Sequence, residues 1–158
     1  MINARRATVD DAEELVRLRG VLFGVDDDSD DNGWRDAARG ILLRRLAEEK
    51  PSMAGFVVDQ PDAGGRLAAC AVGIVEERLG GPRNPHGLVG YMFNVATDPA
   101  HRRRGYARAC TFALIEWFRA QGAGMVDLRA SADGLPLYTS QGFVLTADPA
   151  MRLKLSNT

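Results

Sequence analysis

Residues 88–122 constrain the fold more than any other part of the chain. The run LVGYMFNVAT at 88–97 is mainly apolar, rich in β-branched and aromatic side chains, and bounded by Gly87 and the Asp98-Pro99 pair. Its length and composition predict a buried strand. Beyond a polar bend, Ala107, Cys110, Thr111, Leu114, Trp117 and Phe118 recur at helical spacing, and Gly122 is placed to end that helix in a left-handed cap. A buried strand therefore runs through a short bend into an amphipathic helix that begins near Arg104.

The bend itself reads Asp98-Pro99-Ala100-His101-Arg102-Arg103-Arg104-Gly105-Tyr106-Ala107-Arg108. The first turn of a helix has backbone N–H groups without internal acceptors, and the macrodipole adds partial positive charge there, so an anion satisfies both. Gly105 and the small Ala107 let a ligand approach the main chain, while Arg102, Arg103, Arg104 and Arg108 supply attraction from the rim. That is the chemistry of a pyrophosphate cradle. Two other readings fit the same residues: a solvated or nucleic-acid-facing arginine patch, and a strand-glycine-helix turn that binds no phosphate.

The remaining segments fall into an order without repeats or linkers. Residues 2–7 suit a short strand. Thr8 can cap a helix reaching Leu22, with Asp11 answering three positions on and Ala12, Leu15, Leu18 and Leu22 as its buried stripe. After the acidic run Asp26-Asp27-Asp28-Ser29-Asp30-Asp31, residues Trp34, Ala38, Ile41, Leu42 and Leu46 repeat at helical spacing until Pro51 stops them. Strands at 53–59 and 66–77 flank a hairpin turn at 60–65. The sequence thus alternates hairpins with helical crossovers, which predicts a mixed α/β sheet with helices on both faces.

Whole-chain properties narrow the function. At 158 residues the chain suits one well-buried domain, 1–158, and is short for two. A net charge of −1 argues against a general nucleic-acid binder despite the local arginines. No apolar run approaches the roughly 20 residues that span a bilayer, and no secretory pattern opens the chain, so a cytoplasmic protein without a membrane partner is expected. Cys70 and Cys110 lie in apolar contexts and read as reduced core residues. His86 and His101 are isolated, and no Cys or His pair has ligand spacing, so no metal is expected.

The segment Arg102-Arg103-Arg104-Gly105-Tyr106-Ala107 resembles the Arg/Gln-x-x-Gly-x-Gly/Ala signature of the GNAT superfamily of N-acetyltransferases. Further elements are similar as well: MVDLRA at 125–130 to that family's fifth strand, SADGLPLYTSQGF at 131–143 to its next helix with Leu137-Tyr138 and Gly142-Phe143, and MRLKL at 151–155 to its closing strand. The resemblance implies the acyl-CoA N-acyltransferase fold, a mostly antiparallel sheet splayed between its fourth and fifth strands, in the order β-α-α-β-β-β-α-β-α-β-β.

It also implies a reaction, transfer of the acetyl group of acetyl-CoA to a primary amine by direct attack in a ternary complex. By position in the motif, main-chain N–H groups from Arg103 to Arg108, through Arg104, Gly105, Tyr106 and Ala107, would hold the pyrophosphate, with Arg102 bracing the loop. Main-chain groups of Val95, Ala96 and Thr97 would pair with the pantetheine arm, and one amide would polarise the thioester carbonyl. Tyr138 would give its proton to the departing thiolate; a phenol with a reference pKa of about 10 stays protonated at neutral pH. Ser131 stands where relatives carry an Asn that contacts the cofactor. The fourth strand offers only Tyr91, Phe93 and Asn94 where relatives place a base, which leaves Glu76 and Glu77, acting through water, as candidates.

The acidic run would steer a cationic amine, or else stay solvated as like charges do. Trp34 would anchor its helix or contact the acceptor. Three further readings stand beside small-molecule acetylation: acetylation of a protein N-terminus or lysine, a CoA-binding regulatory module without turnover, and, on the arginines alone, a nucleic-acid patch. Exposed edge strands leave room for a homodimer.

Overall fold

A computed structural model describes residues 2–26, 32–62 and 64–156. Five strands form one sheet in the order β1-β2-β3-β4-β5: β1 (Arg5–Arg6), β2 (Met53–Asp59), β3 (Leu67–Glu77), β4 (Leu88–Thr97) and β5 (Met125–Asp127). The first three pairings are antiparallel and β4 runs parallel to β5. A parallel neighbour requires a crossover, and α3 (Tyr106–Ala120) provides it.

Each face of the sheet carries its own apolar cluster. On one side Cys110, Leu114, Trp117 and Phe118 of α3 pack against Ala54, Ala69, Ala71 and Met92. Phe118 lies so close to two strands that a Cβ on Gly73 would fall 2.3 Å from its Cζ, and one on Gly90 would fall 2.7 Å from its Cδ1. Both positions must therefore lack a side chain for the ring to reach the sheet. On the other side Leu15 and Leu18 of α1 (Ala12–Phe23) meet Val57, Leu67, Cys70 and Val72.

Helix α1 opens as Thr8 and Asp11 require. The Asp11 carboxylate accepts from the Thr8 N–H at 2.8 Å, a capping box around a single 3₁₀ turn, Val9–Asp11, that precedes the helix. Its buried stripe is Ala12, Leu15, Val16 and Leu18; Leu22, expected to continue it, is 46% exposed because Gly24 (φ +70°) turns the chain away one residue after the helix ends. Helix α2 (Trp34–Leu46) buries no residue fully and leans over the sheet rather than sealing it. That incomplete closure creates a cavity.

Strands β2 and β4 have the expected limits, whereas both ends of the sheet fall short. Strand β1 is two residues long, and β5 stops at Asp127 instead of Ala130. After α4 (Leu135–Ser140) the expected closing strand at 151–155 is absent: the segment carries no ladder, and Met151, Leu153 and Leu155 are more than 80% exposed. Its alternating pattern suits a strand, but Asp148-Pro149 interrupts the approach and the short β5 offers no more than three residues of edge. No helix among the described residues is long and apolar enough to cross a membrane.

Candidate functional site

The bend after β4 is held by its first residue. Asp98 closes the strand with its N–H on the Ala68 carbonyl at 2.8 Å, and its carboxylate accepts from the Ala100 N–H at 3.0 Å, starting the 3₁₀ turn Pro99–His101. Arg17 of α1 braces this residue, donating to the Asp98 carboxylate at 2.9 Å, to Glu14 at 2.8 and 3.0 Å, and to the Leu67 carbonyl at 3.0 Å. Burial works against ionisation of Asp98 and Glu14. Their N–H donors and the Arg17 guanidinium outweigh it, so both carboxyls sit below the usual carboxylate range.

From there the chain enters α3 through two left-handed residues, Arg103 (φ +62°) and Gly105 (φ +81°). These conformations delay the helix to Tyr106, two residues later than its periodicity suggested. The Ala109 N–H is the first to reach back, to the Gly105 carbonyl at 3.1 Å, so the N–H groups of Tyr106, Ala107 and Arg108 have no intrahelical acceptor. Arg102, Arg103, Arg104 and Arg108 are exposed around them, and none forms an ion pair with another described residue. The arrangement suits a multiply charged anion docking on main-chain N–H groups within a ring of guanidinium donors.

Leading up to the bend, β4 contains an irregularity that the residue pattern alone did not reveal. Cys70 pairs with Ala96 while Val72 pairs with Phe93, so β4 carries one residue more than β3 between these pairs. Asn94 occupies the bulge at φ +51°, a left-handed conformation that asparagine tolerates better than most residues. It is buried and tied to α1, its amide nitrogen donating to the Leu15 carbonyl at 3.5 Å and its amide oxygen accepting from Arg19 at 3.2 Å. The Cys70 thiol donates to the Asn94 carbonyl at 3.1 Å; buried fully, that thiol is pushed up to about 12 and is a structural donor rather than a nucleophile.

The pairing of β4 with β5 spans only Val89–Tyr91 against Met125–Asp127. Val95, Ala96 and Thr97 therefore have β3 on one side and no strand on the other. Past the bulge, a row of main-chain groups faces the gap between the fourth and fifth strands.

Tyr138 sits on α4 beside that gap. Its ring meets Phe143 edge-on at 5.9 Å, and Gly134 leaves it room, since a Cβ there would lie 2.8 Å from Tyr138 Cε2. Burial pushes the phenol above its ordinary pKa, and its hydroxyl has no hydrogen-bond partner among the described residues. With Val126, Asp127 and Leu128 of the β5 segment it lines a small cavity of about 130 Å³. Ser131 is exposed at the start of the preceding turn, where its hydroxyl accepts from the Gly134 N–H at 3.1 Å.

Glu77 is placed far from these groups. It is exposed and pairs with Leu88, seven residues down β4 from Val95, a separation of about 20 Å at the rise of a strand. Glu76 beside it is paired with Arg78 at 2.8 Å.

On the other face of β4 lies a mainly apolar cavity of about 720 Å³, between α1, α2 and the strands. Phe23 and Trp34 meet edge-on at 5.9 Å on its wall, and Phe93, Asn94 and Arg19 form its floor near the bulge. Trp34 thus both holds α2 against α1 and faces the cavity. Of the acidic run, Asp27 to Asp31 lie outside the described residues. Sequence reasoning missed Arg17 and Arg19; the one signal was a pair of arginines flanking the buried Leu18 on an apolar helix face.

The model of the acetyltransferase (GNAT) family matches residues 15–143. Among solved structures, a GCN5-related N-acetyltransferase from Ralstonia eutropha JMP134 is 28% identical, with a TM-score of 0.78 over 97% of this chain and 99% of its own. A predicted acetyltransferase from Clostridium acetobutylicum, solved with acetyl-CoA, is 23% identical with a TM-score of 0.78 over 99% and 96%. Glucosamine-6-phosphate N-acetyltransferase from Arabidopsis thaliana is 18% identical with a TM-score of 0.71 over 97% and 98%. No curated protein sequence matches the chain. The family model covers the two helices that wall the large cavity, the bulged strand, the arginine bend and Tyr138 alike, and the chain belongs to the GNAT family of acetyl-CoA-dependent acetyltransferases.

Proposed function

We propose that this chain is a single acetyltransferase domain that moves the acetyl group of acetyl-CoA to a primary amine of a small molecule, with both substrates bound together. The observation that carries the reading is the meeting, at one bend, of the unpaired stretch of β4 with the free N–H end of α3. The first can hold an amide-containing arm as an added strand, and the second a diphosphate at its end. Acetyl-CoA has that order of groups, and a structural relative was solved with it.

In this reading the N–H groups of Tyr106, Ala107 and Arg108, with Arg102, Arg103, Arg104 and the Gly105 turn, hold the diphosphate. The main chain of Val95, Ala96 and Thr97 aligns the pantetheine arm, and one amide there fixes the thioester oxygen. Ser131 would stand beside the arm, its hydroxyl accepting from the Gly134 N–H in the turn and keeping its own proton to donate. The amine nitrogen attacks the thioester carbon from the side of the large cavity. A C–N bond forms and the C–S bond breaks. Tyr138 gives its proton to the departing thiolate and recovers one from solvent, while the nitrogen loses its extra proton to water. Glu77 could take that proton only through a long chain of waters, so proton loss to solvent is the simpler route. Both thiols are free and buried, which suits a reducing cytoplasm.

Calorimetry with acetyl-CoA, joined to a thiol-release assay over a panel of primary amines, tests the proposal. Saturable binding with amine-dependent thiol release is expected. Binding without release under any amine would make the chain a CoA-binding module, and absence of binding would remove the cradle.

A further inference from the structure

The large cavity is selective in its charge. Among its described lining residues the only charged side chains are Arg19 and Arg45. Arg45 is occupied, 3.4 Å from the Glu48 carboxylate and donating to the Ser52 hydroxyl at 2.7 Å. Arg19 differs. It is half-buried, stacked 4.8 Å from the centre of the Phe23 ring, and has no carboxylate partner among the described residues. A guanidinium has five N–H donors, and among the described residues Arg19 hydrogen-bonds only to Asn94 Oδ1. A cation held partly out of water with donors to spare is a receptor for an oxyanion.

Position makes the inference specific. Asn94 is the bulge residue, next to the main-chain groups proposed to hold the thioester, so an anion on Arg19 would sit on the cavity side of the bulge, near the carbon under attack. The acceptor must then carry its negative group close to its amine. An α-amino acid does so, with both groups on one carbon. Phe23, Trp34, Ile41 and Phe93 offer the remainder of the cavity to an apolar body.

Resting on the acetyl-transfer reading above, we propose that the acceptor is an apolar or aromatic α-amino acid, its carboxylate held by Arg19 and its side chain by the cavity between α1, α2 and β4. Arg19 is the specificity-determining residue, and the cavity as described has no carboxylate to hold the second charge of a polycationic amine.

Matched pairs test this: phenylalanine against phenethylamine and tryptophan against tryptamine, with spermidine as the polycationic arm, followed by thiol release from acetyl-CoA. The amino acids should exceed their decarboxylated partners in kcat/KM by about ten- to hundredfold, the range of a charge-assisted contact. Arg19→Gln should erase that preference while leaving acetyl-CoA affinity unchanged, and Arg19→Lys should restore part of it. Equal or better turnover of the decarboxylated amines or spermidine, or an equal loss for both members of a pair in Arg19→Gln, would overturn the carboxylate assignment and leave acetyl transfer standing. If no amine releases thiol, calorimetric binding of tryptophan to the CoA-loaded protein decides: binding that Arg19→Gln abolishes keeps the site while the transferase reading fails, and absence of binding removes the site.

Discussion

Arg17 Nη1 donates to Asp98 Oδ2 at 2.9 Å, joining the middle of α1 to the residue on which the arginine-rich bend turns. Both side chains are only 13% exposed, so the pair is poorly screened and its loss leaves a carboxylate facing a cleft without its cation. Arg17→Leu is expected to cost about 2–3 kcal/mol in chemical denaturation and to weaken acetyl-CoA binding, because the bend loses its brace. The acid response should change with it. Glu14 and Asp98 are held below the ordinary carboxylate range, so the stability they supply is complete above about pH 4 and is lost as pH falls through their folded values. Denaturation profiles from pH 7 to pH 2.5 should show a shallower acid decline in Arg17→Leu than in the wild type.

Gly105 separates backbone strain from charge. At φ +81° any side chain pays about 1–2 kcal/mol, so Gly105→Ala should lower melting temperature by a few degrees and acetyl-CoA affinity by a few-fold. Gly105→Glu adds a carboxylate among the N–H groups that would receive the diphosphate, and calorimetry should find affinity reduced roughly a hundredfold. Equal affinities for the two variants would move the anion elsewhere.

Tyr138→Phe keeps the ring against Phe143 and removes only the hydroxyl, which bonds to no described residue. The fold should be undisturbed and kcat should fall about a hundredfold, with KM for acetyl-CoA nearly constant. Burial raises the phenol's pKa, so the wild-type rate should hold until pH climbs past about 10, and the variant should lack that alkaline limb. An unchanged kcat assigns the proton to water.

Gly90→Ala places a methyl group 2.7 Å from the ring of Phe118, which is fully buried and already lies over Gly73 on the neighbouring strand. Overpacking of this kind costs about 1–3 kcal/mol. Urea denaturation measures it directly, and a Phe118→Leu background should relieve part of the loss.

Where local chemistry decided structure, the residue pattern located it. Strand β4 ends where Asp98-Pro99 forbids continuation, and the capping box of Thr8 and Asp11 is present atom for atom. The helix after the bend started late because Arg103 takes a left-handed conformation, which nothing in an arginine's identity announces. The tail at 151–155 alternates like a strand yet finds only the three-residue edge of β5, and pairing is a property of the partner as much as of the segment. The arginine bend was legible at the level of single residues. The cavity was not, since it arises from an α2 that leans without sealing and from a bulge whose only local mark is one asparagine in an apolar run.

The gap between the fourth and fifth strands exposes backbone, and every residue type except one has the same backbone to offer. Whatever docks there is therefore nearly blind to the side chains at 95–97, so packing alone limits replacements at Val95 and the buried Ala96, and a saturation scan at Thr97 should yield a plateau of tolerated replacements broken at proline, which alone cannot donate.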